Sequence, residues 1–309
     1  MKMRRPDQMY PLRPPLPLPE GVTEDQLFNW LKKVRVEGAP KEIENYCTSD
    51  FRRFVYTYGL VKEASKNIPD NQGRLLELGG NPYFSTMLLK KFTSHELVLA
   101  NYFGDNYPKG VLSQNVDYLE FDPVNQDHAK PSRISFDYHH FNTENDLFPF
   151  EDSSFDIILF CEIIEHLLMD PAKVLREIKR ILKPCGQLIL TMPNVSRLEN
   201  VACMLSGSNI YDPYSGYGPY GRHNREYNKH ELNLLLNYLG FTIEEMFTAD
   251  VHENRASNYF DLSLFQDTLK FRQADLGQYI FLRATCGGKD SGKKPSWLYR
   301  SYPAGELDD

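Results

Sequence analysis

The 309-residue chain has no CxxC pair: its five cysteines, Cys47, Cys161, Cys185, Cys203 and Cys286, are scattered. That excludes a thiolate zinc spacing and a disulfide framework, and points to a reducing compartment. No apolar run approaches the roughly 20 residues needed to span a bilayer. The basic start MKMRR runs into prolines where a signal peptide would carry its apolar core. The expectation is a soluble, cytoplasmic protein. A long Lys/Arg stripe is also missing and the formal net charge is -7, so a large phosphate-tracking surface is not expected and nucleic acid is disfavoured as a ligand. There is no internal repeat. The composition that remains, 41% hydrophobic and 25% charged, suits one sizeable domain with extensions, or one large domain with a small one.

Residues 1–22 hold the proline-dense stretch MYPLRPPLPLPEG, which can only form an extended arm, laid on the body or on a partner. A homo-oligomer contact is one such use. Residues 23–72 read as a helical segment: TEDQLFNWLKKV has an N-cap threonine and apolar spacing near 3.6, and FRRFVYTYGLVKEASKN continues that spacing. From residue 73 the pattern alternates. RLLELGG is a strand ending in glycines, NPYFSTMLLKKF a turn into a helix, and ELVLANY and RISFDYHHFN are further strands. The long polar stretch between those two strands predicts a loop or hairpin. SSFDIILFCEIIEHLL predicts a strand running into a helix, PAKVLREIKRILKPCG a helix stopped by glycine, and QLILTMPN a strand. HELNLLLNYLGF, TIEEMFTA and QYIFLRATC add a helix and two strands. Such alternation predicts a parallel sheet covered on both faces. Residues 287–309 are polar and predict a tail.

The ordered blocks LLELGGNP, ENDLFPFEDSSFDIILFCEIIEHL and REIKRILKPCGQLILTMPN resemble the class I S-adenosylmethionine-dependent methyltransferases, over residues 73–286. The resemblance implies an α/β, Rossmann-like fold: a seven-stranded, mostly parallel sheet with helices on both faces, here with an N-terminal helical extension. It implies S-adenosylmethionine as cofactor. It also places Glu77, Gly79 and Gly80 in the methionine and ribose loop, Asn142 and Thr143 at the adenine edge, and Cys161 at the end of the next strand of the site. Asn101 takes the place of the family's acidic ribose ligand. Asn81, Pro82 and Tyr83 stand where a further glycine is usual. Nicotinamide dehydrogenases share the first loop but lack the LKPCGQLILTMPN block.

In EIIEH, a helix starting at the strand end would set Glu162, Glu165 and His166 at i, i+3 and i+4 on one face. Carboxylate and imidazole donors together suit Mg²⁺, Mn²⁺, Fe²⁺ or Zn²⁺. The plain alternative is a glutamate favouring a helix dipole and an interior histidine. Downstream, GRHNREYNKHEL brings His223. EIIEH followed by H-x-x-E-aromatic resembles the small-RNA 2′-O-methyltransferases, whose metal uses two glutamates and two histidines; ubiquinone-pathway O-methyltransferases carry a related ExxEH segment. That resemblance implies Glu162, Glu165, His166 and His223 as ligands of a divalent cation, with His166 and His223 catalytic.

NIYDPYSGYGPYGRHNREY, within a substrate loop at about 205–227, sets tyrosines at 211, 214, 217 and 220 among glycines and prolines. Aromatic faces with hydroxyl tips suit polyol ligands, and serve equally as packing for a lid. Arg222 and Arg225 flank His223, either to bind a substrate anion or to pair with Glu226 or Asp212. His139 and His140 read as structural, His252 as a reserve base. GPYGRHNREY resembles bacterial methyltransferases associated with surface polysaccharide. The expected activity is therefore metal-assisted O-methylation of a sugar-containing small molecule or glycan precursor. The alternatives are a metal-independent N- or carboxyl-methyltransferase, and a catalytically silent methyltransferase-fold partner protein.

Overall fold

The computed structural model describes residues 14–39, 42–69, 72–123 and 129–308. Most of the proline-rich arm, and with it any arm-mediated oligomer contact, lies outside the described residues. From the N terminus run α1 (Glu24–Leu31), β1 (Arg35–Val36), α2 (Glu42–Ser65), β2 (Arg74–Leu78), α3 (Phe84–Phe92) and β3 (Glu96–Asn101). The long polar stretch is a hairpin of β4 (Gly110–Leu119) and β5 (Pro131–His140). Then come β6 (Phe155–Cys161), α4 (Pro171–Ile181), β7 (Leu182–Pro193), α5 (Leu198–Ser206), α6 (Lys229–Tyr238), β8 (Phe241–Ala249), α7 (Gln266–Arg272) and β9 (Tyr279–Cys286).

The main sheet has nine strands in the order β1-β4-β5-β3-β2-β6-β7-β9-β8. The run from β5 to β8 is the expected seven-stranded, mostly parallel, Rossmann-like sheet, with β9 the antiparallel member. The hairpin strand β4 and the short β1 add two antiparallel pairings at one edge. The expected seven strands are thus exceeded because the β3–β5 connection folds onto the sheet instead of crossing it as a helix.

Alternation explains the layers. In β6, Ile157 and Leu159 enter the layer built with α1, α2 and α3, while Ile158 and Phe160 enter the layer built with α4 and α6. Both faces are dry, so the strand reads as one apolar run. Local chemistry sets the helix starts: Thr23 and Gln26 form a capping box on α1, and Asp170 caps α4 with Pro171 at its first position.

Three expectations need correction. After Cys161 the chain does not enter a helix: Glu162 adopts φ 53°, and only a single 3₁₀ turn, Ile164–His166, follows. The glycine stop of α4 is not used either, because β7 starts at Leu182, directly after Ile181, and Lys183, Pro184, Cys185 and Gly186 lie inside that strand. The C-terminal segment is no loose tail. The Tyr299 hydroxyl donates to Asp170 and accepts from the Ala172 N–H, and Arg176 pairs with Asp290 at 2.7 Å. At the other end, Leu16 and Leu18 pack on the α2 layer, and Pro17 lies so close over Gly59 that any side chain there would collide with it. No helix among the described residues is long and apolar enough to cross a membrane.

Candidate active site

In this sheet β2 is flanked by β3 and β6, so the chain leaves it in opposite directions and opens a crevice at the carboxyl ends of the strands. A cleft of about 170 Å³ occupies that crevice. Of the residues expected to hold the cofactor, Gly79, Asn101, Asn142 and Thr143 line it; Glu77, Gly80 and Cys161 do not. Gly79, at φ 71°, bends the backbone there, and a Cβ would press on Ile163 at 3.2 Å. Glu77 lies behind the loop, where its carboxylate accepts the Thr86 hydroxyl at 2.5 Å. Burial raises its pKa to about 7, against the opposing pull of Thr86. Cys161 faces the α2 layer, and burial pushes its thiol up to about 12.

The departure at Asn101 has a local reason. Its carbonyl accepts the Asn81 N–H at 3.0 Å, and its amide donates to the Tyr83 hydroxyl, which itself donates to Gln114. A carboxylate could make the first bond but not the second. Tyr83 takes the left-handed backbone expected of a glycine, φ 67°, and stacks on Phe136 with ring centroids 5.1 Å apart. The amide therefore ties the degraded glycine loop to β3 and the hairpin. Asn142 is similarly used: its side-chain oxygen accepts the N–H groups of Glu144 and Asn145, which shapes the turn after β5.

Beside this cleft the structure gathers Glu165, His166 and His223, with one ligand-type atom of each within 4.8 Å of the others. The 3₁₀ turn places the first two. His223 comes from the loop after α5, which is laced to the turn by backbone: the Glu165 carbonyl accepts the N–H of Asn224 at 2.7 Å and of Arg225 at 3.1 Å, and the Asn224 amide donates to the His166 carbonyl. The His166 and His223 rings meet edge to face, centroids 5.0 Å apart. Nδ1 of His166 donates to the Arg222 carbonyl, and Nδ1 of His223 donates to the Glu226 carboxylate at 2.8 Å. Each imidazole thus has Nε2 as its remaining nitrogen, the arrangement by which outer partners orient ligand histidines. Nε2 of His166 stands 3.9 Å from the Glu165 carboxylate.

Glu165 is fully buried, and neither carboxylate oxygen has a hydrogen-bond partner on another of the described residues. Burial first, then the neighbouring Glu162, hold its pKa well above the carboxylate range. Burial and the His223 charge lower His166. Burial also acts to lower His223, but Glu226 and Asp212 outweigh it and raise the imidazole. Glu162 stands apart from the three. Its left-handed backbone turns the carboxylate to the Thr191 hydroxyl, 2.8 Å away, and to Arg53, 3.9 Å away. The expected four-residue set is thereby divided into a cluster of three and one carboxylate held by its own partners.

Arg53 is the main residue that sequence reasoning overlooked. It is buried on α2, pairs with Asp50 at 3.0 Å, bonds Tyr46 and lies over the rings of Phe54 and Tyr279. The available signal was Tyr46, Asp50 and Arg53 at i, i+4 and i+7, a polar stripe within an otherwise apolar helix face. Glu144, which holds the turn, gives no local signal because its partners Leu168, Met169 and Asp170 are distant in sequence, whereas Glu226, three residues from His223, is the glutamate of the H-x-x-E pattern. His252 does not join the cluster; it contacts Gln278. His140 is structural, accepting the Phe103 N–H at 3.0 Å. Arg225 pairs with Glu231, and Arg222 lies over Tyr214. A second, outer cleft of about 590 Å³ opens on the far side of His223, bordered by Tyr211, Asp212, Tyr227 and Tyr299.

Residues 109–190 match the family model described as a methyltransferase domain. The segment runs from the hairpin through the Glu165 turn to β7, and leaves out the glycine loop. Solved structures with a similar fold include a SAM-dependent methyltransferase from Archaeoglobus fulgidus, at 13% identity over 74% of this chain and 94% of that one, TM-score 0.42. Another, from Thermotoga maritima, reaches 18% identity over 80% and 95%, TM-score 0.43. Haemonchus contortus phosphoethanolamine N-methyltransferase 2, solved with S-adenosyl-L-methionine, has 14% identity over 70% and 49%, TM-score 0.37. Likeness at this level says nothing of the methyl acceptor. No curated protein matches the chain in sequence. The family match spans about a quarter of the chain and is to a methyltransferase domain.

Proposed function

We propose that the chain methylates a hydroxyl of a sugar-containing small molecule or glycan precursor, using S-adenosylmethionine, and that a divalent cation held by Glu165, His166 and His223 assists. The observation that carries this reading is the Glu165 carboxylate, buried without a hydrogen-bond partner on another of the described residues and facing two imidazoles. An isolated buried carboxylate costs several kcal/mol, so this one calls for a cation or a proton. One oxygen and two nitrogen donors fit a borderline divalent ion and leave positions for substrate oxygens. When bound, such an ion stabilises an alkoxide, as zinc lowers the pKa of water from ~15.7 to ~7.

The chain's own groups have distinct tasks in this scheme. The Arg222 carbonyl and the Glu226 carboxylate take the Nδ1 protons of the two imidazoles and leave Nε2 of each as the nitrogen a cation would take. Gly79, Asn142 and Thr143 border the cofactor, and the outer cleft takes the acceptor, so that its hydroxyl reaches the seam between the two clefts at His166 and His223. Positioning of this kind converts an encounter into a near-attack geometry. A vicinal diol is the acceptor feature that two open positions favour.

A second reading rests on the same carboxyl. Burial beside Glu162 favours a protonated Glu165, which would donate to an imidazole and leave His166 or His223 as a metal-free base. Methyl transfer to a panel of methyl glycosides and amines, followed by mass spectrometry before and after stripping with chelator, separates the two. Methyl ethers formed only after Mn²⁺ or Zn²⁺ is restored support the cation scheme. Full activity in the stripped enzyme would falsify it, and methylated amines as the sole product would dismiss the hydroxyl acceptor.

A further inference from the structure

Tyr220 differs from its neighbours on the same loop. Tyr211, Tyr214 and Tyr217 are 84%, 93% and 88% exposed, whereas Tyr220 turns inward and forms part of the wall of the cleft at the glycine loop. Its ring meets Tyr102 edge to face, centroids 5.9 Å apart at 87°. Its hydroxyl donates to the Glu144 carboxylate at 3.2 Å and accepts from the Asn145 amide at 3.4 Å. Tyr102 follows β3 and Glu144 follows β5, so the ring bridges the ends of the two strands, beside Asn101 at the end of β3 and Asn142 in the turn after β5. Glu144 is a fixed anchor: it is only 3% exposed and accepts the N–H groups of Leu168, Met169 and Asp170, just after the Glu165 turn.

We infer that Tyr220 is a cofactor-positioning residue, supplied to the cofactor cleft by the loop that carries His223 and borders the outer cleft. The inference rests on the reading of that cleft as the S-adenosylmethionine site. Its consequence is coupling. Cofactor packed against Tyr220 holds residues 219–225 in place, and those residues set His223 against Glu165 through Asn224 and Arg225. Cofactor packed on Tyr220 and the cluster set by this loop then favour each other, and by reciprocity the acceptor tightens binding of the cofactor. The three outward tyrosines make no such bridge.

S-Adenosylhomocysteine is the probe, and its dissociation from the full chain is followed by stopped-flow displacement. Tyr220→Ala removes ring and hydroxyl together and is expected to raise the dissociation rate about tenfold. Tyr220→Phe keeps the ring, loses the bond to Glu144, and is expected to raise it about threefold. Both variants lose only a little ligand-free melting temperature, and the faster dissociation persists well below it, which a merely structural role would not give. Tyr217→Ala, on the same loop, leaves the rate as it was. Unchanged rates in both Tyr220 variants, or an equal rise in Tyr217→Ala, overturn the inference while wild-type binding leaves the cofactor reading intact. Wild-type protein that binds no S-adenosylhomocysteine overturns both.

Discussion

The loop after β2 and the turn after β6 occupy equivalent places: each leaves the carboxyl end of a parallel, doubly buried strand, and each holds a buried glutamate. Their chemistry diverges at one atom. Glu77 has the Thr86 hydroxyl against it, and the loop above is further tied by Asn101, Tyr83 and Gln114. Glu165 has no hydrogen-bond partner on another of the described residues, only the His166 imidazole at 3.9 Å, yet its backbone carbonyl receives two N–H groups from a distant loop. The first glutamate is a completed structural bond; the second is an open valence within a fixed frame. Burial is the first cause of both raised pKa values, so burial does not distinguish a structural from a functional carboxylate. The partner does.

The largest expected effect breaks the comparison on the open side. Glu165→Ala should lower kcat by about 10²–10³, the usual scale for losing a group that stabilises developing charge, and it should abolish any rise in melting temperature produced by Mn²⁺ or Zn²⁺. Thermal shift and initial rates together check this, and an intact metal shift in the variant would remove Glu165 from the cation site. Next in size is Arg53→Met. Removing one partner of a buried ion pair costs about 3–5 kcal/mol, and here Asp50 and Glu162 would both be left behind. Urea unfolding measures it, and a cost below about 1 kcal/mol, the scale of an exposed pair, would mean that Arg53 is not the counter-ion of this site.

On the closed side, Glu77 folds with its pKa raised from 4.5 to about 7. The folded chain therefore holds a proton that the unfolded chain releases. The stabilisation this provides is fully present below the unfolded pKa and is lost as pH rises through the folded one. Stability should fall by ~3 kcal/mol between about pH 4.5 and 7 through this group, and Glu77→Gln should remove that part of the slope in unfolding curves measured at successive pH values. An unaltered slope would mean that Glu77 does not titrate in that window. The smallest effect belongs to the rim. Arg225→Ala breaks a half-exposed pair with Glu231, and should change stability by less than about 0.5 kcal/mol.

Much of the scaffold was legible because periodicity reports burial. The strands RLLEL, FDIILFC and TIEEMFTA and the N-cap threonine of α1 follow from local pattern and turn chemistry, and the stretch after Asn101 reads as a loop or hairpin. The EIIEH helix was misread for a physical reason: its spacing satisfies a helix, but the backbone turns left-handed at Glu162, where its N–H bonds the Thr191 carbonyl and its side chain meets Thr191 and Arg53. Those partners lie on β7 and α2, and no local rule announces them. The polar C-terminal segment was read as a tail because its anchors, Tyr299 to Asp170 and Arg176 to Asp290, join residues more than a hundred positions apart.

What the sequence determines by itself is the alternation of elements, the order of the methyltransferase blocks and the presence of Glu165, His166 and His223 as ligand types. Which of the four expected donors converge, which asparagine builds the loop it was expected to serve from, and which tyrosine turns inward were decided only in the folded chain. The reason is range. Periodicity and capping are set by neighbours within about one or two turns, whereas a vacant carboxylate, a shared amide and a tyrosine wall are defined by groups that meet only when β3, β5, β6 and the loop before α6 close on one crevice.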